Sequence, residues 1–152
     1  MIYEVKGDIV KDKVYDIFCH QVNCQGVMGS GLAKQIRNAY PEVFNCYKNK
    51  CANDKNLLGT IQHIMTSDYR ICINMFAQDK YGRDKRYTDY TAFKKCLDEI
   101  AQKIMPLSTV DKIAFPYMIG CGLAGGDWVI VRGMLQDFAD KVKKDVYIVA
   151  KE

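Results

Sequence analysis

Two glycine-rich stretches contain the residue types best able to hold an anion through the main chain. The first, VNCQGVMGSGLAK, spans residues 22–34, and the second, FPYMIGCGLAGGDW, spans residues 115–128. Glycine permits positive φ values and lets a ligand approach the backbone closely, because it has no Cβ. Successive N–H groups in such turns form anion-binding concavities, and the start of a following helix adds further free donors. The pair predicts two phosphate cradles, although a tight turn that needs glycine is the alternative for each.

The first stretch differs from the common phosphate-binding motifs. It lacks the GxxxxGK[ST] pattern of a P-loop, and Lys34 falls inside the predicted helix rather than at its start. It also lacks the G-x-G-x-x-G fingerprint of dinucleotide-binding domains. Ser30 adds a hydroxyl group that can donate to a phosphate oxygen. The prediction of a cradle therefore depends on the backbone alone and not on a known motif.

Polar side chains end the apolar strand that precedes the first stretch. Strand alternation puts Gln21 and Asn23 on one face and His20 and Val22 on the other, unless the strand twists at its end. An asparagine offers a donor and an acceptor, which suits a pair of sugar hydroxyls, but it also often pairs only with backbone. His20 is either a hydrogen-bonded core histidine or a functional group. His63 lies mid-strand with no glycine stretch nearby, and we interpret it as structural.

Short apolar runs alternate with amphipathic stretches along the chain, which predicts an α/β fold. The sheet has about six strands and is buried on both faces by helices. In such sheets ligands bind beyond the carboxyl ends of the strands, where both glycine stretches fall. The predicted strands are residues 2–5, 16–22, 58–66, 70–76, 112–118 and 145–150, and the predicted helices are 31–40, one that opens at Pro41, 88–104 and 127–142.

The longest irregular segment is the polar stretch AQDKYGRDKRYTD, residues 77–89, which is long enough to suggest a function. It could close over the ligand site and contribute charge through Arg83, Lys85 and Arg86. The alternative is a solvated loop, since loops are commonly charged and mobile.

Composition bounds the class of protein. The 152 residues are expected to form one domain, residues 1–152, and the net charge of +4 suits an anionic ligand better than a dedicated nucleic-acid partner. Seven cysteines, an odd number without a CxxC pair, favour buried core positions in a reduced chain, with zinc binding or a thiol nucleophile as alternatives. Without a signal peptide or a membrane-length apolar run, we expect a cytoplasmic monomer that contacts no membrane and needs no metal or cofactor.

Several segments together resemble the macrodomain, the ADP-ribose-binding module, over essentially the full length of the chain. The resemblance implies a three-layer α/β/α fold with a central mixed sheet. It is strongest to the branch that contains ADP-ribose-1″-phosphate phosphatases and the terminal ADP-ribose protein glycohydrolase. The segments, in family order, are KGDIV (6–10), HQVNCQGVMGSGLAKQIRNAYPEVFNCY (20–47), LLGT (57–60), NMFAQ (74–78) and FPYMIGCGLAGGDW (115–128).

The resemblance implies roles for particular positions. Asp8 would accept a hydrogen bond from the adenine amino group, the Ile9 backbone would contact the ring edge, and Asn23 would contact the distal ribose. The two glycine stretches would line the diphosphate and the distal ribose from either side. The candidate binding residues are Asp8, Ile9, Gln21, Asn23, Gly26, Val27, Met28, Gly29, Ser30, Gly31, Ile119, Gly120, Cys121, Gly122, Leu123, Ala124 and Gly125.

The same resemblance implies which residues carry chemistry. His20 lies where phosphatase-like members have a catalytic histidine, and a histidine that titrates near neutrality can act as general acid or base on a phosphomonoester. Asp127 could orient a water molecule, or it could only cap the helix that follows. Members that unlink ADP-ribose from acidic side chains or DNA bases use a lysine after the strand ICINMF. Ala77 and Gln78 stand there in this chain.

Two further family features differ in this chain. Ala124 follows the GCGL of the second stretch, where some family enzymes have an aspartate. Val149 and Ala150 stand where an adenine-stacking aromatic is often found, with Tyr147 two residues earlier.

We therefore expect a hydrolase that removes the 1″-phosphate from an ADP-ribose derivative. The alternatives are a module that binds free or macromolecule-linked ADP-ribose without chemistry, an ADP-ribosyl hydrolase, and a deacetylase of O-acetyl-ADP-ribose. The expected partners are ADP-ribose or a derivative of it, and ADP-ribosylated macromolecules.

Overall fold

The chain forms six strands and four helices, and the computed structural model describes all 152 residues. Each predicted strand and helix is present, with ends shifted by a few residues. The strand predicted to reach residue 118 ends at Pro116, because residues 117–120 form a turn in which Met118 has a φ of +64°. The elements are β1 (Ile2–Gly7), β2 (Ile17–Val22), α1 (Gly31–Ala39), α2 (Pro41–Asn53), β3 (Ile61–Met65), β4 (Ile71–Phe76), α3 (Tyr90–Ile104), β5 (Lys112–Pro116), α4 (Trp128–Val142) and β6 (Asp145–Lys151).

The strands form one mixed sheet in the order β1-β6-β5-β2-β4-β3. Every neighbouring pair is parallel except β3 and β4, which are antiparallel. The carboxyl ends of β1, β2, β4, β5 and β6 therefore meet at one edge of the sheet. The segments that leave these ends include both glycine stretches, so the fold brings them to the same edge.

Helices cover both faces of the sheet and give the three layers that the resemblance implies. Helices α3 and α4 bury Phe93 and Leu135 against one face. Helices α1 and α2 bury Ile36 and Tyr47 against the other. Strand β2 is central, and its successive side chains enter the two cores in turn, which explains its continuous apolar run. Full burial of side chains of this size stabilises the fold by roughly 1.5–3 kcal/mol each.

The helix starts follow from local capping. The Asp89 carboxylate accepts a hydrogen bond from the Ala92 N–H at 2.9 Å and caps α3, and Pro41 occupies the first turn of α2. Helix α1 has neither device, because its N-cap Ser30 makes no side-chain capping bond and its first turn contains no proline. The donors of its first turn are therefore left without a side-chain acceptor.

The cysteines are all free thiols. Cys19, Cys51, Cys72 and Cys96 are buried, which confirms the prediction of core positions for these four. Burial raises the pKa of the Cys72 thiol well above its ordinary value. No group of three or more histidine, cysteine or acidic side chains is arranged to hold a metal ion. None of the four helices combines the length and the apolar character that a bilayer-spanning segment requires.

Candidate binding cavity

A cavity of about 650 Å³ lies at the carboxyl edge of the sheet. Its walls come from three segments that are distant in sequence: residues 20–33, residues 78–83 and residues 116–124. The glycine stretches form two of these walls. Twelve of the predicted site residues line it: His20, Gln21, Asn23, Val27, Gly29, Ser30, Gly31, Ile119, Gly120, Gly122, Leu123 and Ala124.

The start of helix α1 provides one group of hydrogen-bond donors to this cavity. The main-chain N–H groups of Gly31, Leu32 and Ala33 have no protein partner, and all three residues line the cavity. The Ser30 hydroxyl is also uncommitted, and the first turn of α1 contains no acidic side chain. This wall therefore presents free donors and the positive end of a helix dipole, which together favour a bound anion.

The second glycine stretch provides another group of donors. The N–H groups of Gly122, Leu123 and Ala124 have no protein partner, and these residues also line the cavity. The stretch closes on itself through the Gly126 N–H, which donates to the Gly120 carbonyl at 2.9 Å. Both glycine stretches therefore carry N–H groups without a protein partner, and residues of both line one cavity.

The glycines of this second stretch are required for different reasons. Gly120 and Gly125 have φ values of +72° and +76°, which side chains rarely adopt. A Cβ on Gly126 would lie 2.5 Å from the Gly120 carbonyl oxygen. Gly122 has neither restriction, because its φ is ordinary and a Cβ there would meet nothing within 4 Å. Since the fold does not require glycine at position 122, the space beside its backbone is available to a ligand.

His20 is buried at the end of β2, 2 % exposed. Its Nε2 lies 2.5 Å from the side-chain oxygen of Asn74, and its Nδ1 has no protein partner. Desolvation lowers the pKa of His20 to about 4, although the hydrogen bond to Asn74 opposes that shift. The expectation of a histidine that titrates near neutrality is wrong, because burial penalises the charged ring. At neutral pH the ring is uncharged.

Gln21 connects the strand to two walls of the cavity. Its Nε2 donates to the side-chain oxygens of Gln78 at 2.8 Å and Thr88 at 2.9 Å, and its Oε1 has no protein partner. The Thr88 hydroxyl in turn donates to the Gly120 carbonyl at 2.6 Å. The cavity therefore combines two groups of free donors with two buried polar atoms that have no protein partner, His20 Nδ1 and Gln21 Oε1.

Asn23 lines the cavity, but its polar atoms are largely used within the first stretch. Its Nδ2 donates to the Val27 carbonyl at 2.8 Å, and its Oδ1 accepts from the Gln25 N–H at 2.9 Å and the Tyr47 hydroxyl at 2.7 Å. Strand alternation does not extend to Asn23, because β2 ends at Val22, and Asn23 is hydrogen-bonded to Tyr47 of α2 although it lines the cavity with Gln21. Asn23 stabilises the wall that carries the donors.

Asp8 and Ile9 lie outside the cavity lining. The Asp8 carboxylate accepts from the backbone N–H groups of Val10 and Lys11, each at 3.0 Å, and pairs with Lys151 at 2.9 Å. The hydrogen bond from Lys151 lowers the pKa of the Asp8 carboxyl, while partial burial opposes that shift. Ile9 is a core residue. The roles that the resemblance implies for both residues stay predictions.

Five other predicted site residues also fall outside the lining. The Asp127 carboxylate accepts from the Val129 N–H at 2.9 Å, so it caps α4, which was the alternative to a catalytic role. Met28 is a core residue, and the Cys121 thiol lies 3.4 Å from the Ile119 carbonyl. Gly26 and Gly125 shape the turns through positive φ values. These residues position the walls rather than form them.

The segment 77–89 contributes directly to the cavity through Gln78, Tyr81, Gly82 and Arg83. Of the two interpretations of this segment, the structure favours the one in which it borders the ligand site. Arg83 is the only cationic side chain in the lining, and no lysine lines the cavity. Lys80 is exposed on the same segment and lies outside the lining.

Aromatic residues at the cavity differ from the expectation. Tyr147 packs between the rings of Tyr3 and Tyr15, with centroids at 5.1 and 5.3 Å, and does not line the cavity. Tyr117 does line it, half exposed, with its ring edge-on to Trp128 at 5.2 Å. The sequence pattern put Tyr117 inside the strand predicted over 112–118, but it lies in the turn that follows Pro116.

A mixed six-stranded sheet between two helical layers, with two backbone cradles at its carboxyl edge, defines an α/β ligand-binding domain. The chain belongs to the Macro domain family, whose model matches residues 19–135.

Two relatives represent the activities named within the family. An ADP-ribose 1″-phosphate phosphatase of Candida albicans is 28% identical, and the match covers 98% of this chain and 100% of that protein. A DNA ADP-ribosyl glycohydrolase of Mycobacterium tuberculosis is 36% identical over 131 residues, which are 84% of this chain and 36% of that protein. This chain therefore spans about a third of the glycohydrolase.

Solved structures confirm the fold. The macrodomain of Mycobacterium tuberculosis DarG superposes with a TM-score of 0.86 at 24% identity, covering 99% of this chain and 97% of that one. Thermosipho africanus DarTG in complex with ADP-ribose superposes with a TM-score of 0.80 at 21% identity, covering 95% of this chain and 40% of that one.

Proposed function

We propose that the protein binds ADP-ribose and hydrolyses an ADP-ribose derivative at the distal ribose, with ADP-ribose 1″-phosphate as the substrate. The observation that carries the proposal is the pair of free donor groups, at the start of α1 and at residues 122–124, in the lining of one cavity. A diphosphate offers acceptor oxygens in two directions, so it can use both groups at once. A volume of about 650 Å³ suits a nucleotide-sized ligand.

The relatives support the choice of ligand and reaction. The phosphatase of Candida albicans matches this chain from end to end, and a structural neighbour was solved with ADP-ribose bound. The unpaired acceptors His20 Nδ1 and Gln21 Oε1 favour a ligand that also carries hydroxyl groups, as a ribose does. Arg83 supplies a positive charge that favours a second anionic group.

His20 is the candidate catalytic residue in this proposal. Because its ring is uncharged at neutral pH, it acts as a hydrogen-bond acceptor and general base, and not as a general acid. A water molecule bound at Nδ1 would transfer a proton there as its oxygen attacks the phosphorus of the 1″-phosphate. The bond between phosphorus and the distal-ribose oxygen would break, and that oxygen would take a proton from solvent, which releases ADP-ribose and inorganic phosphate. The His20 ring would then return its extra proton to solvent. The free N–H groups of the two cradles would stabilise the charge that builds on the phosphate oxygens.

A substrate comparison tests the proposal. The purified protein is incubated with ADP-ribose 1″-phosphate, O-acetyl-ADP-ribose, a mono-ADP-ribosylated protein and ADP-ribosylated DNA, and each product is quantified. We expect inorganic phosphate and ADP-ribose from the first substrate. His20→Ala should lower turnover while calorimetry finds little change in ADP-ribose affinity, and the control His63→Ala should change neither. Turnover of the other substrates alone would contradict the phosphatase proposal.

A non-catalytic ADP-ribose-binding module is the second candidate. Asn23 and Asp127 use their polar atoms in local hydrogen bonds, so His20 is the single candidate base. This small number of candidate catalytic groups favours the binding module. Tight ADP-ribose binding without turnover of any of the four substrates would support this candidate. Lysine-dependent unlinking of ADP-ribose is disfavoured, because no lysine lines the cavity.

A further inference from the structure

Three polar side chains lie in one row across three neighbouring strands. His20 on β2 is in register with Asn74 on β4, and Asn74 is in register with Gln62 on β3. His20 Nε2 lies 2.5 Å from Asn74 Oδ1, and Asn74 Nδ2 donates to Gln62 Oε1 at 3.1 Å. Gln62 Nε2 donates to the carbonyl oxygen of Cys46 in α2 at 3.1 Å. The row therefore links His20, which lines the cavity, to a backbone carbonyl of helix α2.

We propose that Asn74 and Gln62 are positioning residues that fix the His20 ring as its Nε2–H tautomer, so that Nδ1 is held as an acceptor for a ligand hydroxyl or a water molecule. The catalytic consequence of this inference rests on the proposed function. The tautomer itself does not, because it follows from the hydrogen bonds within the protein.

The direction of the row is set at its outer end. A backbone carbonyl can only accept, so the Gln62 amide must turn its NH₂ group toward Cys46 and its oxygen toward Asn74. That oxygen requires the NH₂ group of Asn74 to face it, which leaves the Asn74 oxygen facing His20. An oxygen in that position accepts only from a protonated Nε2.

Burial makes the other arrangement costly. Asn74 is 0 % exposed and its contact with His20 Nε2 is buried, so bulk water cannot replace a partner that Asn74 loses. If Asn74 were reversed, its oxygen would face the Gln62 oxygen, and the fully buried Asn74 oxygen would be left unpaired. An unsatisfied buried group costs about 1–3 kcal/mol, which is enough to keep one arrangement dominant.

The consequence for the site follows from the position of the second ring nitrogen. With Nε2 protonated, a neutral imidazole has its lone pair on Nδ1, the buried atom that has no protein partner. Edge strand β3 thus contributes to the site without lining it.

Nitrogen-15 NMR of the free protein tests the inference, because the two neutral tautomers have different imidazole nitrogen shifts. The chain has only two histidines, and His63 is exposed on β3 and provides an internal reference, assigned with His63→Ala. We expect the His20 ring of the wild-type protein at pH 7 to be the Nε2–H form. A wild-type ring in the Nδ1–H form would overturn the inference.

Three variants separate positioning from general stability. Asn74→Leu removes the acceptor and should produce a mixture of His20 tautomers. Asn74→Asp retains an oxygen acceptor and should retain the Nε2–H form. Gln62→Leu, at a less buried position, should allow Asn74 to reverse and yield a detectable Nδ1–H fraction. A His20 spectrum unchanged in both leucine variants would overturn the inference.

Kinetics then connect the tautomer to the proposed function. With ADP-ribose 1″-phosphate as substrate, Asn74→Leu should lower kcat at least tenfold with little change in KM, and Asn74→Asp should recover part of the loss. If the tautomer shifts as expected but kcat does not change, His20 has no role in turnover. The positioning row would then stand without the phosphatase mechanism.

Discussion

The main-chain N–H of Tyr87 donates to the carbonyl oxygen of Ala124 at 2.7 Å and joins the segment 77–89 to the second glycine stretch. At the other end of the segment, the Cys24 N–H donates to the Asp79 carbonyl at 2.9 Å and joins it to the first stretch. All three walls of the cavity are therefore connected through backbone hydrogen bonds. A substitution that displaces one of these segments should therefore also alter the other two.

Thr88 provides the first test of this connection, because its buried hydroxyl donates to Gly120 and accepts from Gln21. Thr88→Val removes the hydrogen bonds of Gln21 and Gly120 with this hydroxyl. The loss should lower the free energy of unfolding by about 1–3 kcal/mol and weaken ADP-ribose binding. Urea unfolding and calorimetry measure the two effects. Thr91→Val, at an exposed position on α3, should change neither the stability nor the ADP-ribose affinity. Equal effects from the two variants would argue against a specific role for Thr88.

Gly122 tests the backbone cradle. Gly122→Val should leave the melting temperature nearly unchanged, because a Cβ there meets no protein atom within 4 Å. It should weaken ADP-ribose binding by about tenfold or more, since the side chain would occupy space beside the free N–H groups. Gly133→Val is the matched control, because a Cβ on this α4 glycine also meets nothing within 4 Å, yet position 133 lies outside the cavity. Undiminished affinity of the Gly122 variant would rule out a ligand at this wall.

Arg83 tests the contribution of charge. Arg83→Gln should weaken binding of ADP-ribose 1″-phosphate by about tenfold, the loss expected for one charge-assisted hydrogen bond. The difference from wild type should shrink in high salt, because ions screen an exposed charge. Lys80→Gln removes the same charge from the same segment outside the cavity lining and should have a much smaller effect. If the two variants behave alike, the effect is one of net charge.

Substitutions at Asp127 distinguish a helix-capping role of its carboxylate from a catalytic role. Asp127→Ala should destabilise the protein by about 1 kcal/mol, because the Val129 N–H loses its side-chain acceptor. Asp127→Asn should keep the stability, since asparagine caps helices well, and should also keep the turnover. Thermal unfolding and the phosphate-release assay check both. A large loss of turnover in the asparagine variant would restore a catalytic role for the carboxylate.

The burial of His20 predicts how stability depends on pH. Its pKa of about 4 in the folded protein lies below the ordinary 6.5, so between these values the unfolded chain binds more protons. Stability should therefore fall as the pH is lowered from about 6.5 to about 4, by on the order of 3 kcal/mol from this group. The Asp8 carboxyl, whose pKa is lowered mainly by its hydrogen bond with Lys151, contributes at lower pH.

Urea unfolding at a series of pH values measures this dependence. His20→Gln should flatten the slope between about pH 6.5 and pH 4, and His63→Gln should leave it as in the wild-type protein. An unchanged slope in the His20 variant would mean that the ring is not buried in its neutral form.

Periodicity predicted the sheet and helices because each helix buries one face and each central strand buries both. The two glycine stretches were found from the sequence because close approach and positive φ values restrict the residue type directly. Their convergence followed from the rule for parallel strands, and the cavity lining agrees with it at Ser30 and Gly122.

The side-chain pairings and the protonation state of His20 could not be predicted, because they depend on contacts between distant residues that no local pattern encodes. Asp8 is paired with Lys151, 143 positions away. The row from His20 to Gln62 exists only because of the strand register. The low pKa of His20 depends on how completely other elements cover it. Sequence patterns therefore identify the backbone cradles more readily than the protonation state of the side chains between them.

The pairing of β1 with β6 has a consequence for biosynthesis. Ile2 lies opposite Val146 and Gly7 opposite Lys151, so the first strand of this domain to be synthesised pairs only with the last strand of the domain. Until translation reaches the end of this domain, β1 has no sheet neighbour, and a nascent chain must keep its apolar residues from other partners. The charged side chains of Glu4 and Lys6 within β1 disfavour such mispairing during that interval.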